Sequence, residues 1–109
     1  MEITKADWKL FQDKIPLWQE AYMARLNQEY VGILTGDGNP SDKFWQLEKR
    51  IKQDKKNRGV VIQLRKQTVV YDLAALINDG VITFSDIAEF SHELQEKVKY
   101  LCDYSNATC

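Results

Sequence analysis

Residues 78–86 read NDGVITFSD, from Asn78 to Asp86, and this stretch indicates how the second half of the chain folds. Asn78 to Gly80 are typical of a helix end, because glycine adopts the left-handed conformation there at little cost. Thr83 and Asp86 stand three residues apart, which is the spacing of a capping box at a helix start. The stretch therefore predicts two helices joined by a tight turn, with Val81 and Ile82 packed inside it.

The same stretch also has the spacing of the second half of an EF-hand calcium loop. With Gly80 at the sixth loop position, Asp86 falls at the twelfth. The first and third positions are then Ala75 and Ile77, whose side chains offer no oxygen to a calcium ion. We therefore predict that the chain has no metal site here and uses no cofactor.

Upstream of this stretch, the periodicity predicts one long first helix from about Thr4 to Leu34. Thr4 and Asp7 form a plausible capping pair. Apolar residues then recur at steps of three and four, which is the helical period; they are Trp8, Phe11, Ile15, Trp18, Tyr22, Leu26, Tyr30 and Ile33. Because Pro16 interrupts the backbone hydrogen bonds, we expect a kink at this residue, with a short break as the alternative.

Three further helices follow. Asn39 with Pro40 predicts a helix start, and this second helix should run to about Asn57 with Gly59 as its terminator. The third helix should extend from about Leu64 to Ile77, and residues 60–64 fit either a short strand or the start of this helix. The last helix should begin at Thr83, with a buried stripe of Phe84, Ile87, Phe90, Leu94, Val98 and Leu101.

These elements predict an all-α fold, a compact bundle of about four helices forming a single domain over residues 1–109, with 105–109 as a frayed tail. The residues expected in the core are Trp8, Phe11, Trp18, Tyr22, Phe44, Leu47, Ile51, Leu73, Leu76, Ile77, Phe90, Leu94 and Val98. The N-terminal sequence has no signal-peptide pattern, and no apolar run approaches the roughly 18 residues that cross a bilayer. We therefore expect a cytoplasmic protein with Cys102 and Cys109 both reduced.

Few side chains in the sequence suggest catalysis. The only histidine is His92, which the helical period places on the polar side of the last helix, where a solvated histidine is the common case. Cys102 falls at the edge of the predicted core, and a reactive thiol needs a basic neighbour that the sequence does not locate. We predict no catalytic residue and no enzymatic activity.

The charges are strongly segregated although the net charge is only −1. Residues 1–48 carry five basic and eight acidic side chains, residues 49–71 carry eight and one, and residues 72–109 carry two and seven. The basic segment defines a candidate binding patch of Lys49, Arg50, Lys52, Lys55, Lys56, Arg58, Arg65 and Lys66. The last helix offers a candidate acidic docking face of Asp86, Glu89, Glu93 and Glu96. Each set is also compatible with an ordinary solvated helix face.

These features favour a non-enzymatic protein-interaction module that occupies the surface of a macromolecular partner. The alternative is a nucleic-acid-binding regulator that uses the basic segment 49–66, because clustered cations contact phosphates. Against that alternative stand the isoelectric point of about 5.8 and the lack of aromatic residues among the basic ones. Self-association through the two charged sets is a third hypothesis.

Two stretches, NPSDKFWQLEKRIKQDKK (39–56) and ALINDGVITFSDIAEFSHEL (75–94), give the chain an overall character that resembles small, uncharacterised accessory proteins of bacterial phages and mobile elements. The resemblance implies a bacterial protein that binds a host or element-encoded macromolecule, in some cases as an inhibitor. It contains no catalytic or ligand-binding motif, so it assigns no site residue.

Overall fold

The computed structural model describes residues 3–105, and their side chains up to residue 103. Four α-helices follow one another: α1 (Lys5–Thr35), α2 (Pro40–Asp54), α3 (Val69–Asn78) and α4 (His92–Ser105). Two short 3₁₀ turns, Lys66–Thr68 and Phe84–Ile87, precede α3 and α4. No strand occurs within residues 3–105, and residues 62–65 have no regular structure. The predicted all-α, four-helix fold is confirmed. Both alternatives for residues 60–64 were wrong, because these residues form neither a strand nor the start of α3, which begins at Val69 rather than near Leu64.

Helix α1 runs along most of the molecule. Its 31 residues span about 46 Å, and the principal extents of the molecule are 52 × 28 × 20 Å. Thr4 caps its N-terminus by accepting a 3.0 Å hydrogen bond from the Asp7 backbone N–H, as predicted. The helix continues through Pro16, so the alternative of a break there was wrong.

The hydrophobic core lies where α3 and α4 pack against the N-terminal half of α1. Phe11, Leu73, Leu94 and Val98 are completely buried in it. The other core members are Ile15, Val69, Ala74, Leu76, Ile82, Ile87, Phe90 and Cys102. Trp8, Trp18 and Ile77 are partly buried around this cluster. The predicted core is therefore confirmed for Phe11, Leu73, Leu76, Phe90, Leu94 and Val98. The assignment of Tyr22 to the core was wrong, because this residue is only half-buried and lies outside the cluster.

Helix α2 differs from its prediction, because none of its residues is buried. The Phe44 side chain is 61% exposed and the Ile51 side chain is 39% exposed, so their assignment to the core was wrong. Helix α2 contacts the C-terminal half of α1, beyond the reach of the core cluster. Arg50 and Asp54 make its polar contacts with α1, and its aromatic residues face solvent. Leu47, also predicted in the core, is only half-buried.

The turn at residues 78–86 has the predicted structure. Gly80 adopts φ +75°, and its N–H donates to the Ile77 carbonyl while the Val81 N–H donates to the Leu76 carbonyl, at 3.1 and 2.9 Å. These two bonds make a Schellman motif at the end of α3. Thr83 and Asp86 form the predicted capping box, and Ile82 is buried.

The capping box, however, starts only the 3₁₀ turn Phe84–Ile87, and α4 begins at His92, nine residues later than the predicted start of the last helix at Thr83. A tertiary contact places this later start. The Asp7 carboxylate of α1, which is 3% exposed, accepts hydrogen bonds from the Ser91 N–H at 2.9 Å and the Ser91 hydroxyl at 2.6 Å. The Ser91 hydroxyl in turn accepts from the Leu94 N–H at 3.3 Å, as an N-cap does.

Cys102 is buried and disulfide-bonded, so the prediction that it stays reduced was wrong. Residues 106–109 of the predicted frayed tail, Cys109 among them, lie outside the described residues, and Ser105 still belongs to α4. Disulfides are typical of oxidising compartments, so this bond gives no support to the predicted cytoplasmic location, which stays a prediction. None of the helices that the structure describes combines the length and the apolar character needed to cross a membrane.

Gly59 is required by a close approach of side chains rather than as a helix terminator. Helix α2 already ends at Asp54, three residues before the predicted Asn57. Gly59 is buried, and a Cβ atom placed on it would lie 2.6 Å from Tyr22 Cδ2 and 2.9 Å from Val81 Cγ2. These distances are far below van der Waals contact, so any side chain here must push neighbouring groups apart.

We expect Gly59→Ala to lower the free energy of unfolding by about 1–3 kcal/mol, the usual cost of overpacking. The matched control is Gly32→Ala, because Gly32 lies within α1 and its Cβ would meet nothing within 4 Å. That change should raise the free energy of unfolding by up to about 1 kcal/mol, since alanine favours helix more than glycine. Urea denaturation measures both, and equal stabilities of the two variants would contradict the close approach.

Candidate interaction surface

Polar side chains hold α2 against α1. Arg50 Nη2 lies 2.8 Å from Glu29 Oε1 on α1 and 3.6 Å from Asp54 on its own helix. The Tyr30 hydroxyl of α1 donates a hydrogen bond to the Asp54 carboxylate. The Arg50 guanidinium also lies over the Tyr30 ring, 5.7 Å from its centroid. The side of α2 that faces α1 therefore carries two charged residues, Arg50 and Asp54, beside the half-buried Leu47.

The aromatic residues of α2 form an exposed pair in its first turns. Phe44 and Trp45 are 61% and 62% exposed, and their ring centroids lie 4.9 Å apart with planes at 85°, an edge-to-face arrangement. The helix start beneath them is well defined. Asn39 accepts a 2.9 Å hydrogen bond from the Asp42 N–H, and Pro40 occupies the first helical position, both as predicted.

Lysines continue this exposed surface along the helix. Lys49 and Lys52 follow Trp45 by four and seven residues, which places the three on one side of α2. We call Phe44, Trp45, Lys49 and Lys52 the α2 face. This surface was not predicted because Phe44 was assigned to the core, and the contacts of Arg50 and Asp54 with α1, which orient the helix, cannot be inferred from the periodicity of α2.

The predicted basic patch does not form one surface. Arg50 is paired with Glu29, and Arg58 Nε lies 2.8 Å from the buried Asp72 carboxylate of α3. Lys49, Lys55, Lys56, Arg65 and Lys66 make no ion pair with any residue that the structure describes. Of these, the first three belong to α2 and the turn after it, whereas Arg65 and Lys66 line separate pockets beside α3.

The predicted acidic face is also divided, because α4 begins only at His92. Asp86 belongs to the preceding 3₁₀ turn and is engaged in its capping box. Glu89 pairs with Lys14 of α1 at 2.8 Å. Glu93 and Glu96 remain exposed on α4, with Glu96 3.6 Å from His92.

The candidate catalytic and metal-binding side chains of the described residues do not come together in one site. The His92 side chain is 87% exposed, as expected for the polar side of α4. Among the residues whose placement is described, no group of three or more His, Cys, Asp or Glu side chains is arranged to hold a metal ion. Comparisons with known protein families, with curated proteins and with solved structures found no match to this chain.

The contact between α1 and α2 has a measurable consequence for Tyr30. Burial of the phenol, the hydrogen bond to Asp54 and the negative charge of Asp54 raise the pKa of Tyr30 from 10.0 to about 12. Because the folded protein holds this proton more tightly than the unfolded chain, the effect stabilises the fold below pH 10 and disappears as the pH rises from about 10 to about 12.

We expect Asp54→Asn to lower the pKa of Tyr30 towards 10, because the substitution removes the nearby negative charge. The measurement is an ultraviolet titration, with Tyr30→Phe subtracted to isolate this phenol. Asp42→Asn is the matched control, since Asp42 lies on the same helix and is not among the groups that act on Tyr30. An Asp54→Asn protein whose Tyr30 still titrates near pH 12 would contradict the contact.

Proposed function

We propose that this protein is a non-enzymatic protein-interaction module that binds a macromolecular partner through the α2 face. The observation that carries the proposal is the orientation of α2, which turns Arg50 and Asp54 towards α1 and its aromatic pair towards solvent. Exposed aromatic residues grouped on one surface are unusual in a monomeric protein and are typical of binding sites. A rigid, capped helix presents them without a large loss of conformational entropy on binding.

The composition of the α2 face favours a protein partner over nucleic acid. The edge-to-face packing of Phe44 and Trp45 does not offer two open ring faces on which successive bases stack. Glu48 lies beside the lysines, 3.6 Å from Lys52 Nζ, and would face a phosphate backbone with the wrong charge. A partner protein with an apolar cleft and acidic residues at its rim matches this surface.

The resemblance to accessory proteins of phages and mobile elements supports the same class of function. Such a protein acts by occupying a surface of a host or element-encoded macromolecule, and blocking that surface makes it an inhibitor. A bacterial, cytoplasmic setting belongs to this proposal.

Affinity purification with the tagged protein tests the proposal. We expect the double variant Phe44→Ala, Trp45→Ala to lose a partner that the unchanged protein and Leu17→Ala both recover from nuclease-treated extract. Leu17 is the matched control because it is an apolar residue on α1 that is 69% exposed. With the purified partner, removing both rings should weaken binding by at least about 30-fold, as expected of two central aromatic contacts. Equal binding by the double variant would contradict the proposal.

Nucleic acid binding is the second candidate, and one observation favours it: Lys49, Lys55 and Lys56 carry charges that no described acidic residue neutralises. If the protein binds nucleic acid, nuclease treatment of the extract should remove the material that the tagged protein recovers. Changing these three lysines to serine should then weaken binding across all sequences and flatten its salt dependence. Binding that survives nuclease and ignores these changes excludes this candidate.

A further inference from the structure

A second candidate site lies away from the α2 face, between the segment after α2 and the start of α3. It is an open pocket of about 310 Å³. Two arginines, Arg58 and Arg65, line it together with the side chains of Thr68, Tyr71 and Val61. Tyr71 and Val61 are 62% and 59% exposed, so the pocket joins two cations to an apolar wall.

Arg58 is held in place by a buried carboxylate. Its Nε donates to Asp72 Oδ1 at 2.8 Å, and Asp72 Oδ2 accepts from the Thr68 hydroxyl at 2.9 Å. Asp72 is almost completely buried, whereas the Arg58 side chain remains 45% exposed. Among the residues that the structure describes, the Arg58 side chain is engaged only through Nε, so the two Nη groups of an oriented guanidinium are left to bind another acceptor.

Arg65 supplies the second cation. Its Nη2 donates to the Gln63 side chain, which fixes the guanidinium without neutralising it. No described acidic residue pairs with Arg65. With Asp72 as the one acidic side chain lining the pocket, the pocket carries one net positive charge, which matches a single carboxylate better than a phosphate dianion.

We propose that this pocket binds the C-terminal carboxylate of a peptide whose last side chain is apolar. The carboxylate accepts hydrogen bonds from Arg58 and Arg65, and the side chain packs against Tyr71 and Val61. A chain end carries both groups on one residue, so it meets the cations and the apolar wall together. The α2 face takes no part in this site, so the two proposals stand or fall separately.

N-acetylphenylalanine is the probe, and its primary amide is the uncharged control. In a titration followed by amide chemical shifts, we expect saturable changes around Gln63, Arg65 and Tyr71, with a dissociation constant in the millimolar range of small ligands. The amide probe should bind at least about 10-fold more weakly, because it cannot accept charge-assisted bonds from two guanidinium groups. Phenyl phosphate tests the alternative anion.

Arg65→Gln should weaken binding of the probe by about 10-fold or more and leave the fold unchanged, since Arg65 is exposed. Lys5→Gln is the matched control, because it removes one exposed cation from α1, outside both the pocket and the α2 face, and should leave binding unchanged. The proposal is overturned by shifts that do not saturate, by equal binding of the amide probe, by an Arg65→Gln variant that binds normally, or by tighter binding of phenyl phosphate. None of these outcomes depends on Phe44 or Trp45.

Discussion

Phe11→Ala should lower the free energy of unfolding by about 4 kcal/mol, whereas Phe44→Ala should change it by less than about 0.5 kcal/mol. Both substitutions remove the same atoms from a helical phenylalanine. Phe11 is completely buried between α1, α3 and α4, and Phe44 is 61% exposed on α2. Truncation of Phe11 therefore leaves a cavity among close-packed side chains, and truncation of Phe44 leaves only solvent.

Urea denaturation followed by circular dichroism measures both changes. A domain of this size is stable by about 5–15 kcal/mol, so the loss at Phe11 is a large share of the total, and its denaturation midpoint should fall steeply. The slope of the free energy of unfolding against urea concentration should be similar in the two variants, because both unfold in one step.

A cost of several kcal/mol at Phe44 would contradict the placement of α2. It would mean that Phe44 is covered by other parts of the chain, and the aromatic pair could then not serve as an interaction surface. The predicted small effect has the opposite meaning: an exposed aromatic residue that contributes little to stability has no role within the isolated fold. The Phe44 result therefore bears on function as much as on folding.

Local signals in the sequence were sufficient to predict much of this fold. Thr4, Asn39 and Gly80 lie at helix ends whose capping depends only on neighbouring residues, and all three were placed correctly. The buried side of α1, α3 and α4 was also predictable, because a helical period identifies this side wherever it is apolar. Phe84 was the exception in the predicted stripe of the last helix, since it lies in the preceding 3₁₀ turn and is 37% exposed.

The errors occurred where contacts between distant residues decide the structure. The start of α4 depends on Asp7, which lies 84 residues before Ser91 in the chain. The orientation of α2 depends on the pairing of Arg50 with Glu29 across 21 residues. Periodicity carries no information about either contact, so the sequence predicted a longer last helix and an inward-facing Phe44.

The prediction of the candidate site from the sequence was limited in the same way. The sequence shows which residues are charged and where they stand along the chain, but it does not show which of them form ion pairs in the folded protein. Glu89 is paired with Lys14 across 75 residues, and Arg58 is paired with the buried Asp72, so neither belongs to a simple charged surface. What remains accessible on α2 is a smaller basic set, Lys49 and Lys52, beside Trp45. The helical period already places these three residues on one side of the helix, but their exposure depends on how α2 packs against α1.

The contact between Asp7 and Ser91 leads to the second large expected effect. Asp7→Ala should lower the free energy of unfolding by about 3 kcal/mol, because it removes two hydrogen bonds to a buried carboxylate and leaves the Ser91 N–H without its acceptor. The matched control is Asp13→Ala, also on α1. Asp13 is exposed and pairs only with the exposed Lys9, so its loss should cost about 0.5 kcal/mol or less.

Hydrogen exchange separates a local role of Asp7 from a general loss of stability. In Asp7→Ala the Ser91 amide should exchange faster than global unfolding explains, because the turn before α4 is no longer fixed to α1. The exchange rates of amides in the middle of α3 should change only as much as the global stability changes. If both aspartate variants lost equal stability and Ser91 kept its protection, Asp7 would not hold the start of α4. The continuous helix from Thr83 would then again be the simpler expectation, since the local capping box already favours it.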